Sequence, residues 1–310
     1  MVTEHPTFSV ITPVFNGEKF IEETITSVLS ACEGLHFEYI VVNDGSTDAT
    51  QSILEQFSNK IRIISHRNRG ESESVNVGIE ASRGEYLLVV SADDPLLGPD
   101  IFRGVEELFL KDSNLVAIYP DWQIINQAGV VMEIKHLPDF TVEDFLANNI
   151  VLPGPGTIFR RDAAIKVGGR RSKWRFVGDY DFWLRLSDEG KFMHRNCVLA
   201  QWRQHGGSTS VSARGPQMAE ERIAVISDYL TNTSSIISKQ VRRIALANAY
   251  ALASRLVFFS SDVPGKRYLF KSLLLRRTWP ERLRLTEGLY ILLYPLSKLL
   301  VYPIRNRIVR

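Results

Sequence analysis

The stretch Tyr86-Leu87-Leu88-Val89-Val90-Ser91-Ala92-Asp93-Asp94-Pro95 constrains the fold more than any other part of the chain. Five consecutive apolar residues, with Gly84 before them and Pro95 after, predict a strand buried on both faces of a parallel sheet. A strand of that kind ends in two adjacent carboxylates where its C-terminal edge opens onto something polar, and in doubly wound α/β sheets ligands bind at that edge. Two acidic side chains there suit a hard divalent cation with oxygen ligands. Read alone, Asp93-Asp94-Pro95 is equally a solvated turn that caps the next helix, so the remaining segments have to decide.

They repeat the pattern. Residues 8–13 form a β-rich run broken by Pro13, and Asn16-Gly17 supplies turn chemistry. Residues 18–31 place Ile21, Ile25, Val28 and Leu29 at helical spacing. A second strand over 38–42 leads into Asn43-Asp44-Gly45-Ser46, and Thr47-Asp48 is placed to cap the helix carrying Ile53, Leu54 and Phe57. A third short strand over 62–65 and a helix over 72–81 precede the strand described above. Alternating strands and helices predict a Rossmann-like, mainly parallel sheet flanked by helices. Further on, the sequence predicts a helix over 101–110, a strand over 115–119 and a hairpin around Asn126-Gln127-Ala128-Gly129. Thr141 and Asp144 have capping-box spacing at the start of a helix over 141–149. A loop Pro153-Gly154-Pro155-Gly156 enters a strand over 157–160, a helix runs on from Tyr180, and a last strand spans 198–203. From Pro216 onward only helices are expected, which puts a domain boundary near Gly215 and makes 216–310 an all-α extension.

In a parallel sheet three strand ends bring Thr12 to Asn16, Asn43 to Ser46, and Asp93 with Asp94 to one edge. An aromatic or apolar wall with one carboxylate suits a nucleobase, because Asp44 can accept a base N–H, and a metal at Asp93 lies where a diphosphate arrives. Other nucleotide modes are excluded. No Gly-x-Gly-x-x-Gly follows a strand, and Gly265-Lys266 lacks the upstream glycine of a Walker loop, position 260 being serine. There is no Cys/His zinc spacing and no Gly-x-Ser-x-Gly elbow.

The segments Val10-Ile11-Thr12-Pro13-Val14-Phe15-Asn16-Gly17, Tyr39 to Asp48 and Gly84 to Asp94 stand in the order and spacing of family 2 glycosyltransferases, and the resemblance covers roughly residues 8 to 212. It implies the type A glycosyltransferase fold, inverting transfer, and a sugar nucleotide with Mg²⁺ or Mn²⁺, a UDP-sugar being the commonest donor. The nucleotide-binding set it implies is Pro13, Val14, Phe15, Asn16, Glu18, Asp44, Ser91, Ala92 and Asp93, with Asp93 as the metal-bound carboxylate. The family's first motif aspartate is Ser91 here, which contributes no charge, and position 75, often Arg in relatives, is Val75.

In the second half, Gly178-Asp179-Tyr180-Asp181 resembles the family motif at a helix start, which makes Asp179 the general base and leaves Asp181 to cap or orient. A carboxylate at a helix N-terminus is also an ordinary cap. Trp202 to Ser210 resembles the segment that closes over the diphosphate, so His205 is a candidate metal ligand beside the alternative of a plain surface histidine. Trp174 lies where acceptors are met and could stack on a sugar face, with plain packing as the alternative, and Asp94 and Asp181 serve as supporting carboxylates.

Charge distribution adds a partner. Residues 264–310 hold 11 Lys/Arg against 2 Asp/Glu, so a net of +9 sits on a body at −7 within an overall +2. Residues 283–308 are leucine-rich but interrupted by Pro295, Lys298 and Pro303, a marginal span that fits an interfacial helix on anionic lipid better; packing on protein is the alternative. A lipid-linked or glycan acceptor in polysaccharide or lipopolysaccharide assembly agrees with that reading, and nothing in the modest overall charge suggests a nucleic-acid partner. Two distant cysteines and no charged-then-apolar leader point to the cytoplasm, peripheral on the inner membrane face. Two rivals are a sugar-nucleotide pyrophosphorylase, which would need a Gly-rich basic loop where Pro13 to Gly17 stands, and a non-catalytic scaffold, made conceivable by Ser91.

Overall fold

In the computed structural model, residues 5–148, 153–206, 215–233, 237–260 and 265–276 are described. The chain divides into two compact units, Met1–Phe140 with Leu152–His205, and Thr141–Val151 with Gly206–Arg310.

The first unit is built on a mixed sheet in the order β3 (Arg62–Ser65), β2 (Phe37–Asn43), β1 (Phe8–Val14), β4 (Tyr86–Val89), β7 (Ile158–Arg160), β5 (Leu115–Asn126) and β6 (Val131–Lys135), with β8 (Lys191–Gln204) pairing parallel to β5. Strands β1 (Phe8–Val14), β2 (Phe37–Asn43), β3 (Arg62–Ser65) and β4 (Tyr86–Val89) are mutually parallel. Every residue of β1 is buried, Ser9 and Thr12 included, as expected of a strand covered on both faces. Helices α1 (Ile21–Ala31), α2 (Thr50–Gln56) and α3 (Glu71–Ala81) make the crossovers. Helix α1 is held down by Ile21, Ile25 and Val28, each stabilising by about 1.5–3 kcal/mol on burial. Helix α3 approaches β1 so closely that a Cβ on Gly78 would lie 2.3 Å from Ile11 Cγ2.

Beyond β4 the chain departs from a plain alternation. A single turn of 3-10 helix, Pro99–Ile101, precedes α4 (Val105–Lys111), so the helix expected over 101–110 starts late, because Gly104 takes a left-handed φ of 70° at its head. Strand β5 (Leu115–Asn126) runs further than 115–119 and turns into β6 (Val131–Lys135) through Asn126, whose Oδ1 accepts the amides of Ala128 and Val130. Strand β7 (Ile158–Arg160) inserts antiparallel between β4 and β5 and leads into α6 (Arg161–Lys166) and α7 (Gly178–Leu186). Strand β8 (Lys191–Gln204) is longer than the expected 198–203. Its pairing jumps from Arg195 to Val198, so Asn196 and Cys197 form a bulge that breaks the alternation a sequence reading depends on.

The second unit contains α5 (Val142–Asn148), α8 (Gly215–Asn232), α9 (Lys239–Ser260) and α10 (Lys266–Arg276). Thr141 and Asp144 form the expected reciprocal cap of α5. Alanines 245, 247, 249, 251 and 253 of α9 are buried, and Ala253 packs with Ala219, Val257 and Tyr268. Phe270 and Leu274 of α10 are exposed. Residues 283–308 lie outside the described residues. Among the described residues no helix is long and apolar enough to cross a membrane.

Candidate active site

The loops after β1 and β2 are knitted together by side chains flagged in the sequence. Asn16, at φ 52°, accepts the Thr47 amide on Oδ1 (2.8 Å) and donates its own amide to Ser46 Oγ (2.9 Å). Glu18 accepts the Ala49 amide (3.0 Å) while its own amide donates to Asp48 (3.1 Å). Asp48 also takes the Thr50 amide and hydroxyl; burial pulls its carboxyl up, and these bonds outweigh that and hold it below the usual carboxylate value. Pro13 and Val14 are buried in β1, and the Val14 carbonyl accepts the Asp44 amide at 2.8 Å, holding the ends of β1 and β2 side by side. Phe15 is half exposed at the rim.

Asp44 is 3% exposed and receives the amides of Arg69 (2.6 Å) and Gly70 (2.8 Å), with His66 Nδ1 at 3.3 Å. It therefore anchors the 66–70 segment at the head of α3. A carboxylate offers about four lone-pair directions, so acceptor capacity remains for a ligand N–H.

At the end of β4 the two neighbouring carboxylates face different surroundings. Asp94 is buried, takes the Ser91 hydroxyl, and accepts the Arg203 amide at 2.7 Å. Burial, followed by the adjacent Asp93 charge, pushes its carboxyl well above the usual aspartate range. Asp93 is more open, and its Oδ2 lies 2.9 Å from His205 Nε2. Ser91 is exposed, its hydroxyl turned to Asp94 and its carbonyl to the Asp94 amide. The Ala92 carbonyl accepts from Thr24 Oγ1, and a Cβ on Gly17 would sit 3.7 Å from Ala92 Cβ, which fixes this turn against the β1–α1 loop.

Asp179 lies in the first turn of α7 and accepts the Tyr180 amide at 2.7 Å. Asp181, 2% exposed, instead binds Arg185 through Nε (2.9 Å) and Nη2 (2.7 Å) and Trp174 through the indole N–H (3.0 Å). Trp174 carries the Lys173 ammonium 4.5 Å above its ring. The start of α7 rests on the start of α3: a Cβ on Gly178 would meet Ser72 Oγ at 2.8 Å. Since α3 descends from the carboxyl end of β3, its first turn stands on the same sheet edge as Asp44 and Asp93. Topology thus delivers Asp44, Asp93 and Asp179 to one rim.

One residue that the sequence did not single out is central. Arg203, 2% exposed, donates to the Asp93 carbonyl (2.9 Å), the Gln127 carbonyl (3.0 Å) and Glu23 Oε2 (2.7 Å). Its guanidinium lies 4.9 Å from the centre of the Phe20 ring, which in turn packs 4.8 Å from the His205 ring. Its place inside the Trp202 to Ser210 segment was the available signal, but nothing in a sequence marks an arginine as buried. His66, Glu23 and Phe20 were missed for the same reason. Asp93 and His205 hydrogen-bond each other at 2.9 Å, and among the described residues no group of three or more His, Cys, Asp or Glu side chains gathers as a metal site; an oxygen and a nitrogen donor are the pair that would meet a divalent cation here.

Comparison with known proteins follows the same lines. The family model described as glycosyl transferase family 2 matches residues 9–168. The chain is 27% identical over 224 residues to a hyaluronan synthase of Pasteurella multocida, a match of 71% of this chain and 23% of that protein. An uncharacterized glycosyltransferase of Rickettsia typhi is 26% identical over 277 residues, covering 86% of this chain and 84% of its own length. The chain thus spans about a quarter of the synthase and most of the Rickettsia protein. Among solved structures, S. aureus TarS 1-349 superposes with a TM-score of 0.61 at 18% identity, covering 89% of this chain and 90% of the other. A mannosyltransferase from Pyrobaculum calidifontis, in complex with GDP-Man and Mn²⁺, does so at 0.56 and 16%, covering 96% and 88%.

Proposed function

We propose, from the premise that this chain belongs to glycosyl transferase family 2, that it moves a sugar with inversion from a nucleotide diphosphate donor to a hydroxyl of a glycan or lipid-linked acceptor. The observation that carries this reading is the gathering of Asp44, the Asp93–His205 pair and Asp179 on one sheet edge. Asp44, with the exposed ring of Phe15 and the Asn16 turn beside it, receives the base and ribose. Asp93 and His205 would hold a divalent cation, which when bound neutralises the leaving diphosphate. Asp179 takes the proton of the acceptor hydroxyl as that oxygen forms its bond to C1 and the C1–O bond to the diphosphate breaks on the opposite face. Asp181 keeps Trp174 and Arg185 in place below it.

A UDP-sugar is the expected donor. TarS has been solved with UDP-GlcNAc and the mannosyltransferase with GDP-Man, so both bases belong in any trial. Relatives named as hyaluronan and chondroitin synthases support a role in polysaccharide assembly. The basic 264–310 region and the exposed Phe270 and Leu274 support an anionic membrane surface as a partner. The test is release of free sugar and nucleoside diphosphate from a panel of UDP- and GDP-sugars, with Mn²⁺, with Mg²⁺ and after chelation. Turnover of one donor that disappears on chelation and returns with Mn²⁺ is expected. Turnover indifferent to chelation removes the cation, and pyrophosphate-dependent formation of a nucleotide sugar would replace the reaction altogether.

A further inference from the structure

Arg203 gathers partners from three segments remote from its own strand: the turn after β4 (Asp93 carbonyl, Asp94 carboxylate), the β5–β6 turn (Gln127 carbonyl) and the start of α1 (Glu23, with Phe20 just before it). Burying a guanidinium is costly unless its donors are met by well-placed acceptors, and here Nε, Nη1 and Nη2 each have one. The side chains of Arg203 and of His205, the latter just past the end of β8, both pack on Phe20. We infer that Arg203 is a positioning residue for the cation site: by clamping the Asp93 main chain to the end of β8, it brings the Asp93 carboxylate and His205 imidazole within 2.9 Å of each other. Glu23, half exposed on α1, sets the far end of the clamp.

This inference rests on the reading of Asp93 and His205 as cation ligands, and the experiment separates the two. Mn²⁺ alone is titrated into the whole protein, with free Mn²⁺ followed by electron paramagnetic resonance, at a temperature where circular dichroism shows each variant folded. Arg203→Lys keeps the charge but replaces a planar fork with a point donor. Groups that orient metal ligands typically change affinity by about 10- to 100-fold, so its Mn²⁺ dissociation constant should rise at least about tenfold. Donor turnover should then recover as Mn²⁺ is raised, a shift in metal requirement rather than in maximal rate. Glu23→Gln should move the constant in the same direction by about threefold or more, and it decides the matter should Arg203→Lys not fold. Wild-type Mn²⁺ affinity in the folded variants overturns the positioning role while leaving the cation site intact. Wild-type protein binding Mn²⁺ no better than Asp93→Asn overturns the cation site, and the clamp's purpose with it.

Discussion

Two carboxylates two residues apart in the first turn of α7 should respond in opposite ways to removal. Asp181 is the buried counter-ion of Arg185, and breaking one side of such a pair typically costs about 3–5 kcal/mol, because a charge is left buried and unmatched. Arg185 would keep its bonds to the carbonyls of Val167 and Gly169, so Asp181→Ala belongs at the lower end, about 3 kcal/mol. At roughly 2–4 °C per kcal/mol for a unit of this size, the melting temperature should fall by about 6–12 °C. Asp179 is half-buried and accepts a single short bond from the Tyr180 amide. An asparagine carbonyl can accept that bond, so Asp179→Asn forfeits only the charge–dipole interaction of a first-turn carboxylate, about 0.3–1 kcal/mol. Its turnover should nonetheless fall by about 10²–10⁴, the usual contribution of a positioned base, with donor binding retained. The assay pairs thermal denaturation with product release under saturating donor. Asp179→Asn retaining turnover to within a few-fold would refute the base. Asp181→Ala that melts like wild type would refute the accounting of the buried pair.

Three further perturbations test the frame around the site. Gly78→Ala puts a methyl 2.3 Å from Ile11 Cγ2 and must lift α3 off β1; such overpacking costs about 1–3 kcal/mol, read as a lower denaturant midpoint. Asp44→Ala leaves the Arg69 and Gly70 amides without their acceptor, at about 1–3 kcal/mol for an unsatisfied group, and hydrogen exchange at those two amides should accelerate together with weaker donor binding. Asp121, 1% exposed, is drawn up by burial but held below the usual aspartate value by the Leu137 amide, His136 and His194. The folded protein therefore binds fewer protons there than the unfolded chain, so stability rises with pH through the acid range and is lost as pH drops through the lowered value. Melting curves taken below about pH 4 should show that loss in wild type and a flatter acid limb in Asp121→Asn.

Sequence alone determined the parts of this protein that depend on local rules. The unbroken apolar run at 86–90 could be satisfied only by a strand covered on both faces, and the helices between it and the β-rich runs at 8–13 and 38–42 made those strands parallel. Parallel strands end on one edge, so Asn16, Asp44 and Asp93 were bound to share a rim before any coordinate was known. Turn chemistry at Asn126 to Gly129 and the Thr141–Asp144 cap were legible because each is closed by atoms only a few residues apart. Tertiary structure decided what distant segments do to one another. It turned Asp94 and the Ser91 hydroxyl inward, left Asp93 facing His205 across 112 positions, and tied Asp44 to amides 25 and 26 residues downstream. It also buried Arg203 against Glu23, 180 residues away. A side chain's charge and shape are written in the sequence, but its burial and partners depend on which remote backbone groups fold onto it.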